Sequence, residues 1–202
     1  MTDEQRVDHD DPATGADHPQ LPSRKGAPAT GPSPQFRGSA LVQLFDDHGH
    51  LKDERRIGNL ITTAGDEYYA KRGAAGVLPA APGDVTKVDG MKLGTGATAA
   101  AKSGAGAALV TYETASNNPF DASFPAFVDL ASDTGWQIQY KTTWGPGDVT
   151  EAALTEAVIV KDATADATSS AANTIARVVF SAINKTATDT LVITWNHTFN
   201  AA

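Results

Sequence analysis

TIARVVFSAINKTATDTLVITWNHTF, residues 174–199, decides the fold. In its second half Leu191, Ile193, Trp195, His197 and Phe199 alternate with Val192, Thr194, Asn196 and Thr198. A period of two in β-branched and aromatic residues predicts a strand with one apolar face. In the first half, 174–183, apolar residues occupy both parities. That is the pattern of a strand covered on both faces, so this segment belongs in the middle of a sheet.

Working outward, residues 154–161 share that two-sided pattern, and 136–141 alternate strictly, with Trp136, Ile138 and Tyr140 against Gln137, Gln139 and Lys141. Residues 39–45 and 50–57 flank Asp46-Asp47-His48-Gly49, whose Asp and Gly suit a hairpin turn. Strands are also expected at 91–93 and 109–114. One short helix is predicted after Asn59-Leu60-Ile61-Thr62-Thr63-Ala64-Gly65. Thr62 or Thr63 caps it, Asp66 and Glu67 lie in its first turn, Lys71 and Arg72 in its last, and Gly73 stops it. Short strands separated by Gly, Pro, Asp and Asn turns predict a mainly β chain: an antiparallel β-sandwich, jelly-roll-like, with one short helix.

Residues 1–37 differ from the rest. They hold Pro12, Pro19, Pro22, Pro28, Pro32 and Pro34, six of the eleven prolines, and few large apolar residues. Such a stretch has too little to bury to offset its ordering entropy, so an extended N-terminal arm is expected, with the sandwich at 38–202. Of the 202 residues about 165 then belong to the domain, which is enough to bury roughly 70% of its unfolded-chain surface. Leu21, Arg24, Lys25, Phe36 and Arg37 are the expected partner contacts of the arm, on grounds of residue type alone.

A net charge of −8 argues against a nucleic-acid binder. No apolar run approaches the ~18 residues that span a bilayer. Residues 1–11 are acidic and polar, unlike a secretory signal, so synthesis in a cytoplasm is expected. Cysteine is absent, which excludes disulfides, thiolate catalysis and Cys-ligated zinc.

Sites for chemistry are sparse. Asp46, Asp47, His48, His50 and Asp53 could converge on a metal, but the same residues make an ordinary polar turn, and that reading is preferred. Gly94-Thr95-Gly96 lacks the Lys-Ser/Thr of a phosphate loop. Asp148, Glu151 and Glu156 could supply a glycosidase carboxylate pair. Glu156, however, is the odd residue of an apolar strand, and a structural pair with Arg177 on a neighbouring strand is expected instead. Of the tryptophans, Trp136 and Trp195 are expected in the core. Trp144, before Gly145-Pro146-Gly147, is the candidate exposed aromatic contact. Neither an enzyme nor a cofactor is expected.

The ordered set Asn59-Leu60-Ile61-Thr62-Thr63-Ala64-Gly65, Lys92-Leu93-Gly94-Thr95-Gly96-Ala97-Thr98-Ala99-Ala100, Leu154-Thr155-Glu156-Ala157-Val158-Ile159, Ile175-Ala176-Arg177-Val178-Val179-Phe180 and 185–195 resembles a family of tailed-bacteriophage structural proteins. Its members are minor virion, head-decoration or tail-fibre-associated proteins. The resemblance covers roughly residues 57–199. Where the family has Gly-Leu-Phe after the Glu, this chain has Ala157-Val158-Ile159, and the following loop (163–172) is longer. The resemblance implies a virion structural protein made in the host bacterial cytoplasm. On that basis a capsid decoration or cement protein is expected, bound to the major capsid protein and to copies of itself as a homo-oligomer, with no nucleic-acid or membrane partner. The alternative is a receptor- or glycan-binding module on a tail fibre or baseplate.

Overall fold

The computed structural model describes residues 36–74, 86–130 and 135–200. Leu21, Arg24 and Lys25 lie outside them. Among the described residues nine strands and one α-helix follow in chain order: β1 (Phe36–Phe45), β2 (Leu51–Ile61), α1 (Thr63–Ala74), β3 (Gly90–Gly94), β4 (Asn118–Pro119), β5 (Ala126–Asp129), β6 (Gly135–Trp144), β7 (Glu151–Val160), β8 (Thr174–Lys185) and β9 (Thr190–Asn200). A 3₁₀ turn at Gly104–Ala107 precedes β4. The strands form one antiparallel sheet in the order β4-β3-β7-β8-β2-β1-β9-β6-β5.

The sheet curls on itself. β2 joins its halves, pairing along its length with β1 and, only through Leu60 and Ile61, with β8. At the far side the segment leaving β4 reaches β6, where Asp121 N–H donates to the Lys141 carbonyl (2.8 Å) and Asn118 Nδ2 to the Thr143 carbonyl (2.8 Å). Val42, Leu44, Tyr140, Trp144, Ile193 and Trp195 from one half pack in a single core with Met91, Leu93, Leu154, Ile159, Val178 and Ile183 from the other. Fully burying a side chain of this size contributes about 1.5–3 kcal/mol, so this shared core is the main source of stability.

The outer faces of the halves differ. That of β1, β9 and β6 is a polar ladder, with Gln137 Nε2 donating to Thr198 Oγ1 (3.1 Å) and Gln139 Nε2 to Asn196 Oδ1 (3.0 Å). That of β7 is covered: Val158 and Val160 pack with Leu109 and Ala163 in a second, smaller core. A register shift between Leu154 and Glu156 sends Ala157 and Ile159 inward and turns Glu156, Val158 and Val160 outward. β7 from Glu156 and β8 as far as Val178 are therefore buried on two sides, as the two-parity apolar pattern requires, whereas Ala152 and Ala153 of β7 and Ser181, Ala182 and Asn184 of β8 are exposed.

Helix α1 begins where expected. Thr62, wholly buried, accepts a hydrogen bond from Gly65 N–H at Oγ1 (3.0 Å) and donates its own hydroxyl to the Thr174 carbonyl (2.6 Å). One side chain thus caps the helix and ties it to β8. Gly65 is required there, because a Cβ would lie 2.1 Å from the Ile175 carbonyl oxygen. The helix continues one residue past Gly73.

Three expectations need correction. The first strand starts at Phe36, so Phe36 and Arg37 belong to the sheet and not to an arm ending at 37. Residues 109–114 are not a strand. They touch β3 through a single bridge, Gly94 to Tyr112, because the Val110 and Thr111 N–H groups are turned to the Glu156 carboxylate. The short β4 and β5 were not anticipated.

Candidate functional site

Glu156 and Arg177 are both fully buried and sit diagonally on β7 and β8, where Glu156 faces Val179 and Arg177 faces Val158. Arg177 Nε and Nη2 donate to Glu156 Oε2 at 2.9 and 2.8 Å, and Nη1 donates to the Gly106 carbonyl at 3.1 Å. Backbone N–H groups complete the carboxylate's shell: Gly96 (3.0 Å) and Thr111 (2.8 Å) on Oε1, Val110 (3.2 Å) on Oε2. One N–H of the Gly-Thr-Gly segment, that of Gly96, thus binds an anion, and the anion is the protein's own Glu156. A Cβ on Gly96 would lie 2.3 Å from Oε1, so glycine is the residue that fits. The pair expected from sequence is present, and it clamps the 95–113 loop onto the sheet.

The other carboxylates proposed for glycoside chemistry are used locally. Asp148 Oδ2 accepts from Gly145 N–H (2.9 Å) in its turn, and Glu151 Oε1 accepts from Ala153 N–H (3.0 Å). In the 46–50 turn Asp46 Oδ1 accepts from the N–H groups of His48 (2.9 Å) and His50 (2.8 Å), and Gly49 has φ +80°. Asp46, Asp47 and His48 bring three ligand atoms within 4.8 Å of one another at the surface. The backbone bond from His50, against opposing desolvation, holds the Asp46 carboxyl below its usual range. These contacts are those of a polar hairpin turn.

The two tryptophans on β6 reverse their expected roles. Trp144 is wholly buried and its indole N–H donates to the Ser116 carbonyl (2.8 Å), so it cannot be a surface contact. Trp136 is 51% exposed. The two share a strand face, eight residues apart. The segment before β4 covers one end of that face, and the other end is open.

At the open end lies the feature that sequence reading missed. Helix α1 stands over the apolar face of β6 and leaves a cavity of about 410 Å³, lined by Tyr68, Tyr69, Arg72, Lys87, Val88, Pro125, Ile138 and Tyr140. A volume of that order is within the range of small-ligand sites. Beneath it runs a hydrogen-bonded row: Tyr140 and Tyr69 share a hydroxyl bond of 2.8 Å, Tyr69 also bonds His197 Nδ1, and the Asn59 amide lies 3.4 Å from Nε2. Desolvation raises both tyrosine hydroxyls above their ordinary value and pulls His197 down to about 3. Burial thus favours the neutral form of all three, which the hydrogen bonds of the row join. A histidine on the inward parity of β9 was visible in the sequence; its partners on α1 and β6 were not.

Beside the cavity the apolar face continues onto open rings. Phe127, 71% exposed, is cross-strand from Ile138, and Trp136 lies two residues along β6 on the same face. Trp136 is in turn opposite Phe199, which stacks on Phe36 at 4.3 Å. Phe36 also sets its edge against Tyr69 at 4.8 Å. Its ring is thus half-buried within the fold rather than free for a partner. Arg37 is exposed and borders a second hollow of about 320 Å³, beside the Asp66–Lys102 ion pair (2.5 Å).

No family model, curated protein or solved structure matches the chain.

Proposed function

We propose that this chain is a non-enzymatic structural protein of a tailed-bacteriophage particle, a capsid decoration protein attached to the major capsid shell through its N-terminal arm. The observation that carries the reading is a convergence. Residues 92–100, 154–159 and 175–180, three of the segments that resemble the virion family, meet at the Glu156–Arg177 clamp. The resembling residues therefore build one packed unit rather than scattered matches. In this reading the halves of the curled sheet serve as the two layers of a jelly-roll-like sandwich, and copies associate on the outer capsid surface. An extended arm bridges several subunits and adds avidity without a core of its own.

The test is removal of residues 1–35, cut before β1. The truncated protein is expected to unfold cooperatively at a temperature near that of the full chain, yet to be missing from purified particles. Loading at the normal level would contradict attachment through the arm.

A second reading, a receptor- or glycan-binding module on a tail fibre or baseplate, is favoured by the open rings of Trp136 and Phe127. Copy number separates the two, being high for a shell protein and low for a tail component.

A further inference from the structure

We propose that the cavity between α1 and β6, together with the aromatic ledge beside it, is a binding site for an acidic saccharide. This goes beyond a role in the particle shell and does not depend on where on the particle the chain sits.

Charge gives the first part of the ligand. The described residues lining the cavity include two cations, Arg72 and Lys87, and no acid, in a chain whose net charge is −8. The guanidinium of Arg72 lies over the Tyr68 ring at 5.4 Å, with Nε and Nη2 shielded from solvent and without a hydrogen-bond partner among the described residues. Arg177 makes the contrast: every one of its nitrogens donates within the fold. Nε and Nη2 form the edge of a guanidinium that matches the two oxygens of a carboxylate. A shielded donor without an acceptor is costly, and an acceptor carried by a ligand removes that cost.

The ledge gives the second part. A ligand leaving the cavity past Ile138 meets Phe127 directly and Trp136 about 7 Å further along the strand, room for one or two sugar rings. Phe127 and Trp136 are exposed side chains on one face of β5 and β6. A molecule lying on it has one side against aromatic carbon and the other in water. A pyranose, with a C–H face and outward hydroxyls, satisfies both sides at once; a wholly apolar ligand would leave its outer side wet. The Tyr69 and Tyr140 side chains line the cavity end, with their hydroxyls bonded to each other.

The experiment is calorimetric and fluorescence titration of the full-length protein with tri-galacturonate and with sialyllactose, against neutral maltotriose and lactose. The expected result is saturable binding of at least one acidic sugar, about tenfold or more tighter than its neutral counterpart. Arg72→Gln and Trp136→Ala should each weaken it about tenfold, with thermal unfolding monitored in parallel. Lys87→Gln, a change at an exposed side chain, provides a second variant that leaves the fold alone and should weaken it about threefold. The proposal is overturned if neither acidic sugar gives saturable binding up to about 10 mM, if neutral sugars bind as well, or if these variants change nothing. It is equally overturned if sedimentation shows an oligomer that Phe127→Ala and Trp136→Ala dissolve, which would assign the ledge to self-contact.

Discussion

Glu156→Gln is expected to lower the unfolding free energy by about 3–5 kcal/mol, because it leaves Arg177 charged and unpaired in the interior. The substitution keeps the volume, so cavity formation contributes little. What changes is the hydrogen bonding. Glu156 accepts five hydrogen bonds, three from backbone and two from Arg177. An amide would turn an NH₂ group toward some of those donors. At about 2–4 °C per kcal/mol for a chain of this size, the melting temperature should fall by roughly 6–20 °C. Arg177→Met should cost less, since the carboxylate keeps its bonds from Gly96, Val110 and Thr111. The double variant should be less damaging than the sum of the singles. Urea unfolding of all three proteins checks this, and a loss below about 1 kcal/mol for Glu156→Gln would mean that the clamp is not what holds the loop.

The second large effect is a loss of stability in mild acid that traces to His197. Its folded pKa is about 3, with burial as the cause, while in the unfolded chain it is near the ordinary histidine value of 6.5. Below 6.5 the unfolded chain takes up a proton that the folded protein refuses, so stability is fully present above about pH 6.5 and is lost as pH falls. The slope is about 1.4 kcal/mol per pH unit until the folded pKa is reached. Asp189 acts in a lower window. Desolvation pushes its carboxyl up, but hydrogen bonds from Lys52 and Thr186 outweigh this and hold it at about 2. Its contribution is lost only as pH falls through 3.8 toward 2. Between pH 6 and 4, then, the decline belongs chiefly to the histidine. His197→Asn should be less stable at pH 7, having lost the Tyr69 bond, yet show a shallower pH dependence across that range. Equal slopes in the two proteins would refute the assignment.

Much of the sheet was legible because its strands are long and periodic. The inward parity of β9 and the two-sided apolar pattern of β7 and β8 follow from side-chain alternation alone. A lone glutamate in such a strand had to find a cation, and Arg177, one diagonal step away on β8, supplies it. β4 and β5 escaped notice because two and four residues carry no usable period. Residues 109–114 looked like a strand, yet Glu156 captured the N–H groups that a ladder would have used. Trp136 and Trp144 show a different limit. Alternation puts both on one face, and only the placement of a distant segment over one end decides which ring is buried. The cavity was illegible for the same reason, since its lining comes from α1, the lead into β3, the segment before β5, and β6.

Cryo-electron microscopy of the intact particle is the most direct measurement of the central claim. If the chain decorates the capsid as proposed, this curled sheet repeats over the capsid surface in many copies, with residues 1–35 ordered against the major capsid protein. Density confined to a few copies at the tail, or a purified particle without this chain, would contradict it.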